Sequence, residues 1–266
     1  MASYRYRAKI PAESLGAKIN DAGADVLIFS KPLPGDELIA EEAKGHGKTV
    51  VVDFCDDHFS TPLYQAMVKM ADAVVCSTLE LAYLCPRSAF IVRDTYEFPE
   101  AEPHCNGDNL LWFGHKVNLH TIKDTGLPAR IVCNAEGCIP WSLETMDREF
   151  ARADIVLMPA TAKYKSPNRT LEAIRQGCFV VAEPHPAIND FPIYIGDMKE
   201  GIEWAKNNQS AANKMIRKAQ RFITEKYSPA TQASAWKNVL ASVSTSVQAG
   251  SSGMGGSASI CQTRPT

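Results

Sequence analysis

Residues 154–185, DIVLMPATAKYKSPNRTLEAIRQGCFVVAEPH, read as strand, polar loop, helix and strand. The run from Asp154 to Met158 is short, continuous and apolar, the pattern of a strand covered on both faces of a parallel sheet. A loop carrying Lys163, Tyr164 and Lys165 follows. Ser166 and Pro167 then make a helix start, because a serine oxygen accepts from free backbone N–H groups and proline fits the first helical position. The spacing predicts a helix to about Gln176, stopped by Gly177, with CFVVAE as the next strand.

That turn carries an expectation about chemistry. The N–H groups of Asn168 and Arg169, at the positive end of a helix that follows a strand's carboxyl end, favour an anion. Lys165 and Arg169 add full charges beside it. Asn168 and Glu172 stand four apart and share a helical face. A carboxylate beside a phosphate is repelled, so Glu172 suits neutral sugar hydroxyls one turn deeper. The group as a whole points to a nucleotide sugar, with cations and amides on the diphosphate and a carboxylate on a ribose diol. Taken singly, each residue has a plainer explanation: Lys165 and Arg169 as solvated charges, and Glu172 as a partner of Arg175 or Arg169.

The segment KSPNRTLEAIRQGCFVVAEPHPA resembles the donor-binding segment of GT-B glycosyltransferases, in particular their family-4-like group. There a loop lysine precedes a helix bearing Glu-Ala and a Gly-x-x-Val-Val strand. The resemblance implies that Lys165, Asn168, Arg169 and Glu172 bind the donor, with Glu172 as the second glutamate of the group's Glu-x7-Glu pair, at the ribose. The first glutamate falls on Tyr164, so the sugar contact it makes in the family has no counterpart here. The same resemblance implies metal-independent, configuration-retaining transfer from a nucleotide sugar to an acceptor hydroxyl. The nucleotide sugar is a co-substrate, and no other cofactor is implied.

Composition sets the frame. The chain has 266 residues, 45% hydrophobic and 22% charged, enough for one large core or two modest ones. A formal net charge of −2 gives no global positive field to gather nucleic acid. Eight scattered cysteines, several inside apolar runs, read as buried free thiols of a reducing compartment. Cys133 and Cys138 with His115 and His120 match no common zinc spacing. Without an apolar span of 18 residues or a signal peptide, the expected location is the cytoplasm.

Outward from the central segment, the chain alternates strand and helix, which predicts an α/β protein with parallel sheets. Ala24–Ser30, Lys48–Phe54, Ala73–Ser77 and Ala89–Val92 read as strands separated by helices. Turn-rich residues 93–108 mark a hinge region. The expected division is 1–98, an acceptor-side domain, 99–108, the hinge proper, 109–243, a donor-binding domain with terminal helices, and 244–266, a Gly/Ser-rich disordered tail. This is the two-Rossmann-domain plan that the resemblance implies.

Three further places carry residues of interest. Tyr6-Arg7 and Pro11-Ala12 resemble a motif that follows the first strand in some GT-B enzymes, which puts Arg7 on the acceptor side. No strand precedes that motif here, so a truncated N-terminal sheet is expected. The plain alternative is a solvated basic terminus. Second, the strand Lys48–Phe54 ends on Asp53-Phe54, and Asp56, Asp57 and His58 follow at its carboxyl end. His58 or Asp57 is expected to meet the acceptor hydroxyl as the catalytic group. A divalent-cation site and an ordinary helix cap are the alternatives. Third, Gly114 and His115 follow the strand NLLWF, where the family has Gly-Arg on the donor phosphates. Two other functions remain in view: a relative that binds nucleotide sugar without turnover, and a GT-B-type epimerase.

Overall fold

The computed structural model describes residues 4–248 and 257–261. A π-helical turn, Arg5–Lys9, runs into α1 (Ile10–Leu15), followed by β1 (Lys18–Ile19), β2 (Val26–Ser30), α2 (Asp36–Gly45), β3 (Thr49–Phe54), α3 (Pro62–Met70) and β4 (Ala73–Cys76). Next come α4 (Leu79–Leu84), β5 (Phe90–Ile91), β6 (Leu110–Phe113), α5 (Leu119–Lys123), β7 (Arg130–Val132), α6 (Leu143–Arg152) and β8 (Ile155–Met158). The remainder is α7 (Asn168–Arg175), β9 (Phe179–Ala182), β10 (Tyr194–Ile195), α8 (Met198–Asn207), α9 (Gln209–Tyr227), α10 (Pro229–Gln248) and β11 (Ala258–Cys261). The chain forms two compact units: unit 1 takes Met1–Thr95, Tyr164–Ser166 and Tyr227–Thr266, and unit 2 takes Tyr96–Lys163 and Pro167–Lys226.

Unit 1 is built on a six-stranded parallel sheet in the order β1-β11-β2-β3-β4-β5. Alternate residues of each strand leave opposite faces, so one sheet supports two apolar layers. Phe29, Val50, Val52 and Phe54 pack with Ala40 and Ala43 of α2 and Tyr64 and Met67 of α3. Ile28, Val51, Val75 and Ile260 pack with Ala8 and Ala12 of the N-terminal helical segment and Trp236, Val239 and Val243 of α10. All six residues of β3 are buried, Val50–Val52 and Phe54 as apolar side chains of a strand covered on both faces and Asp53 through its pairing with Arg7. Thr61 and Thr78 cap α3 and α4 by accepting from Tyr64 N–H and Leu81 N–H.

The strand β11 corrects two expectations. The tail was expected to be disordered and the first sheet to lack a strand; instead residues 257–261 include a strand paired on both sides, with β1 and with β2. Ile260 is fully buried, and the Ser259 hydroxyl accepts from Asp21 N–H at 2.9 Å and donates to Lys18 O at 3.2 Å. A segment of small residues becomes a strand here because both neighbouring strands supply its backbone partners, an effect of tertiary context that composition does not display. Residues 244–248, also assigned to the tail, continue α10. Residues 249–256 and 262–266 lie outside the described part.

Unit 2 has a five-stranded parallel sheet, β10-β9-β8-β6-β7. Numbered along that unit, this is the order 2-1-3-4-5 read from the β7 edge, a doubly wound arrangement whose direction reverses between β6 and β8. Its core gathers Trp112, Ile155, Leu157, Phe179 and Val181 with Met198, Ile202 and Ile216 of the flanking helices. Gly177 ends α7 at φ 73°, and a Cβ there would stand 2.2 Å from Glu102 O, so only glycine fits. All eight cysteines are free, four of them buried. No helix among the described residues is long and apolar enough to cross a membrane.

Candidate functional site

In an open parallel sheet, ligands bind beyond the strands' carboxyl ends where the winding direction reverses. In unit 2 that place lies between β6 and β8, and three elements meet there. β6 ends in Trp112-Phe113 and passes into Gly114; β8 leads through residues 159–167 into α7; and α7 begins with Asn168 and Arg169.

The start of α7 differs from the expectation in its details. Pro167, not Ser166, occupies the cap position, and no side chain caps the helix. The first closure is Leu171 N–H to Pro167 O at 3.0 Å. The opening amides of the helix therefore have no side-chain acceptor, and the Ser166 hydroxyl is buried without a hydrogen-bond partner among the described residues.

Arg169 is the charged centre of this corner. Its guanidinium lies 5.8 Å from the Trp112 ring centroid, and Nη1 donates to Phe113 O at 3.1 Å. Burial pushes its pKa down to about 10, so the group remains a cation at neutral pH in a place that disfavours the charge. No carboxylate among the described residues pairs with it. Gly114 makes the room: a Cβ there would sit 2.9 Å from Trp112 Cζ2 and 3.0 Å from Arg169 Nη1. Gly114 and Arg169, expected together on the donor, are brought together. Trp112, which the sequence showed only as part of the strand NLLWF, packs against both.

Glu172 is corrected. It was expected to accept from ribose hydroxyls, yet it is 2% exposed, and its two oxygens accept from Glu97 N–H at 2.7 Å and Phe98 N–H at 3.1 Å. Glu97 and Phe98 belong to no strand or helix, and a buried carboxylate that accepts from their amides is itself satisfied. Glu172 thus braces the segment that opens unit 2.

Lys165 is also placed elsewhere than on an open phosphate cradle. With Tyr164 and Ser166 it belongs to unit 1, where its ammonium pairs with Asp56; Lys31 Nζ meets the other oxygen of Asp56 at 2.7 Å. Burial alone would raise the Asp56 carboxyl, but hydrogen bonds from Lys165 and Lys31 outweigh it and hold the pKa below the ordinary value. Thr78, capping α4, also donates its hydroxyl to Tyr164 O at 2.9 Å.

Arg7 is neither a solvated terminus nor an open acceptor contact. It is 1% exposed; Nε donates to Asp53 Oδ2 at 2.9 Å, Nη2 pairs with Asp53 Oδ1, and Nη1 reaches Asp94 Oδ1 at 3.1 Å and Val92 O. Burial works against the charged guanidinium, but Asp53 and Asp94 more than compensate and raise its pKa. The triad ties the N-terminal helical turn to β3 and to the chain after β5.

His58 is exposed and rests edge-on against Tyr64, 5.4 Å between centroids, while its carbonyl accepts from Thr61. Asp57 is half-buried beside it. Among the described residues, neither has a partner that marks it as a proton-transfer group. Asn168 is half-buried at the helix start. His115 turns back on its own chain, its Nδ1 accepting from Val117 N–H at 3.4 Å as the cap of the turn Lys116–Asn118. Among the described residues, no three His, Cys, Asp or Glu side chains gather as a metal site. Asp53 and Asp56, the core of the suspected cation site, are engaged by Arg7 and by two lysines.

No family model matches this sequence, and no curated protein matches it. Solved structures do. The crystal structure of Anabaena Alr3699/HepE in complex with UDP matches with a TM-score of 0.62 at 13% identity, over 88% of this chain and 81% of that one. The same protein in complex with UDP-glucose gives 0.60 at 13% identity, over 81% and 78%. An alpha-glucosyltransferase in complex with UDP and a mismatched DNA 13-mer gives 0.53 at 14% identity, over 83% and 80%. At such identities the likeness establishes the architecture: an α/β chain with two parallel sheets, of the GT-B type.

Proposed function

We propose that this protein is a glycosyltransferase that moves a sugar from a nucleotide-sugar donor to an acceptor hydroxyl, without a metal ion and with retention of configuration. The observation that carries the donor half is Arg169: a cation with no carboxylate partner among the described residues, steadied by Trp112 and Phe113 O, at the winding reversal of unit 2 and at the uncapped start of α7. Such a corner is complementary to a diphosphate. When the glycosidic bond to the nucleotide breaks, negative charge grows on the departing phosphate oxygen. Preset donors aimed at that oxygen lower the barrier without a protein nucleophile.

The first donor to test is UDP-glucose, since a structure of the same architecture holds it. Metal independence, retention and a cytoplasmic location follow from the resemblance and from the free cysteines, and form part of the proposal. Asp57 and His58, at the carboxyl end of β3, are the groups we assign to the acceptor side. A second reading has its own observation: His58 is exposed and rests on Tyr64 rather than on a group that would poise it for proton transfer, which suits a protein that holds a nucleotide sugar without turning it over. Incubation with UDP-, GDP- and ADP-sugars, with and without candidate acceptors, separates the two. Acceptor-dependent release of nucleoside diphosphate supports transfer. Binding without release under every condition supports the second reading, and neither binding nor release rejects both.

A further inference from the structure

The sheets of the two units follow one plan, but only if β11 is counted out of turn. Unit 2 has the order 2-1-3-4-5. Unit 1, β1-β11-β2-β3-β4-β5, becomes 2-1-3-4-5-6 once β11 is taken as the first strand. The packing agrees with that count. Ala8 and Ala12, ahead of β1, lie in the same apolar layer as Ile260 of β11. The segment then enters β1, which pairs in parallel with β11 through Lys18 with Ser259 and Ile19 with Ile260. β11, the N-terminal helical segment and β1 thus make a strand-helix-strand unit whose first strand is contributed from beyond α10.

We propose that β11 is the first strand of this sheet in all but chain order, and that the slot between β1 and β2 is a strand-binding site that accepts residues 257–261 irrespective of how they are attached. The slot is selective by construction. On one side of the inserted strand it takes an apolar side chain, Ile260, among Ile28 and Trp236; on the other it takes a small residue, Ser259, whose hydroxyl answers Asp21 N–H and Lys18 O. Without an occupant, β1 loses its pairing strand and β2 loses one of its two, leaving backbone groups to be satisfied by other means.

Two chains and two peptides test this without reference to catalysis. The first chain ends at Gln248. The second is the first with residues 257–266 joined directly ahead of Ala2. The expected results are a melting temperature lower by at least about 10 °C for the shortened chain, and one within about 3 °C of the natural protein for the rearranged chain. A synthetic peptide of residues 257–266 is expected to restore the shortened chain in a concentration-dependent way, and the same peptide with Ile260→Asp is not. The proposal is overturned if the shortened chain melts like the natural one, if the rearranged chain does not fold, or if the two peptides act alike.

Discussion

Replacing Glu172 with alanine separates two roles that the same residue type can play. In the structure the carboxylate is 2% exposed and accepts at 2.7 Å from Glu97 N–H and at 3.1 Å from Phe98 N–H. Hydrogen bonds to a charged group contribute about 1.5–3 kcal/mol each. Taking the lower end for both, Glu172→Ala destabilises unit 2 by about 3 kcal/mol, before any penalty for two amides left without a partner. For domains of this size about 1 kcal/mol moves the melting temperature by about 2–4 °C, so a drop of about 6–12 °C is expected. Thermal unfolding followed by circular dichroism measures it. UDP-glucose affinity, titrated at low temperature where the variant is still folded, should change less than about threefold, since no ligand contact is removed. A melting temperature within about 2 °C of the natural protein, together with a loss of affinity above about tenfold, would refute the assignment and return Glu172 to the ribose.

Other consequences are as direct. Arg7→Met leaves Asp53 and Asp94 facing each other in a dry place, and about 3–5 kcal/mol of unfolding free energy in denaturant titration should be lost; a loss under about 1 kcal/mol would show that the triad is not formed. Gly177→Ala forces a side chain into a left-handed residue with Glu102 O in its way. The conformational cost of about 1–2 kcal/mol and an overpacking cost of about 1–3 kcal/mol should lower stability together, and an unaffected melting curve contradicts the geometry. Asp56 gives a pH dependence with a definite sign. Its folded pKa lies below the unfolded value of about 3.9, so its contribution to stability is complete above that value and is lost only as pH falls through the lower, folded one. The stability difference between the natural protein and Asp56→Asn should therefore be flat from pH 5 to 8 and shrink below about pH 4. A gap that widens towards acid would reverse the sign.

The sheets were legible because they are parallel and buried. VLIF, VVV, AVVC, LLWF, IVLM and FVVA are unbroken apolar runs, and each lies in a strand. What sequence did not display is pairing across long separations. β11 offers one strongly apolar residue, Ile260, in a Gly/Ser-rich setting; two ready-made neighbours supply the rest. Arg7 and Glu172 carry the residue types of ligand contacts, and nothing local says that Asp53 and Asp94, or the amides of Glu97 and Phe98, reach them first. Lys165 was recognised as a cation beside a helix start, but its partner Asp56 lies 109 positions away. Arg169 and Gly114 were legible because each sits at the end of an element that the pattern located, and the fold joins those ends.

If Arg169 is the cation that meets a nucleoside diphosphate in unit 2, isothermal titration of UDP-glucose against the natural protein and Arg169→Ala shows it most directly. Arg169 donates to Phe113 O, lies over Trp112 and pairs with no carboxylate among the described residues, so its removal breaks no ion pair there; the melting temperature should move by no more than a few degrees while the affinity falls at least about tenfold, about 1.4 kcal/mol. A natural protein that binds no nucleoside diphosphate, or an alanine variant that binds as tightly as the natural one, would contradict it.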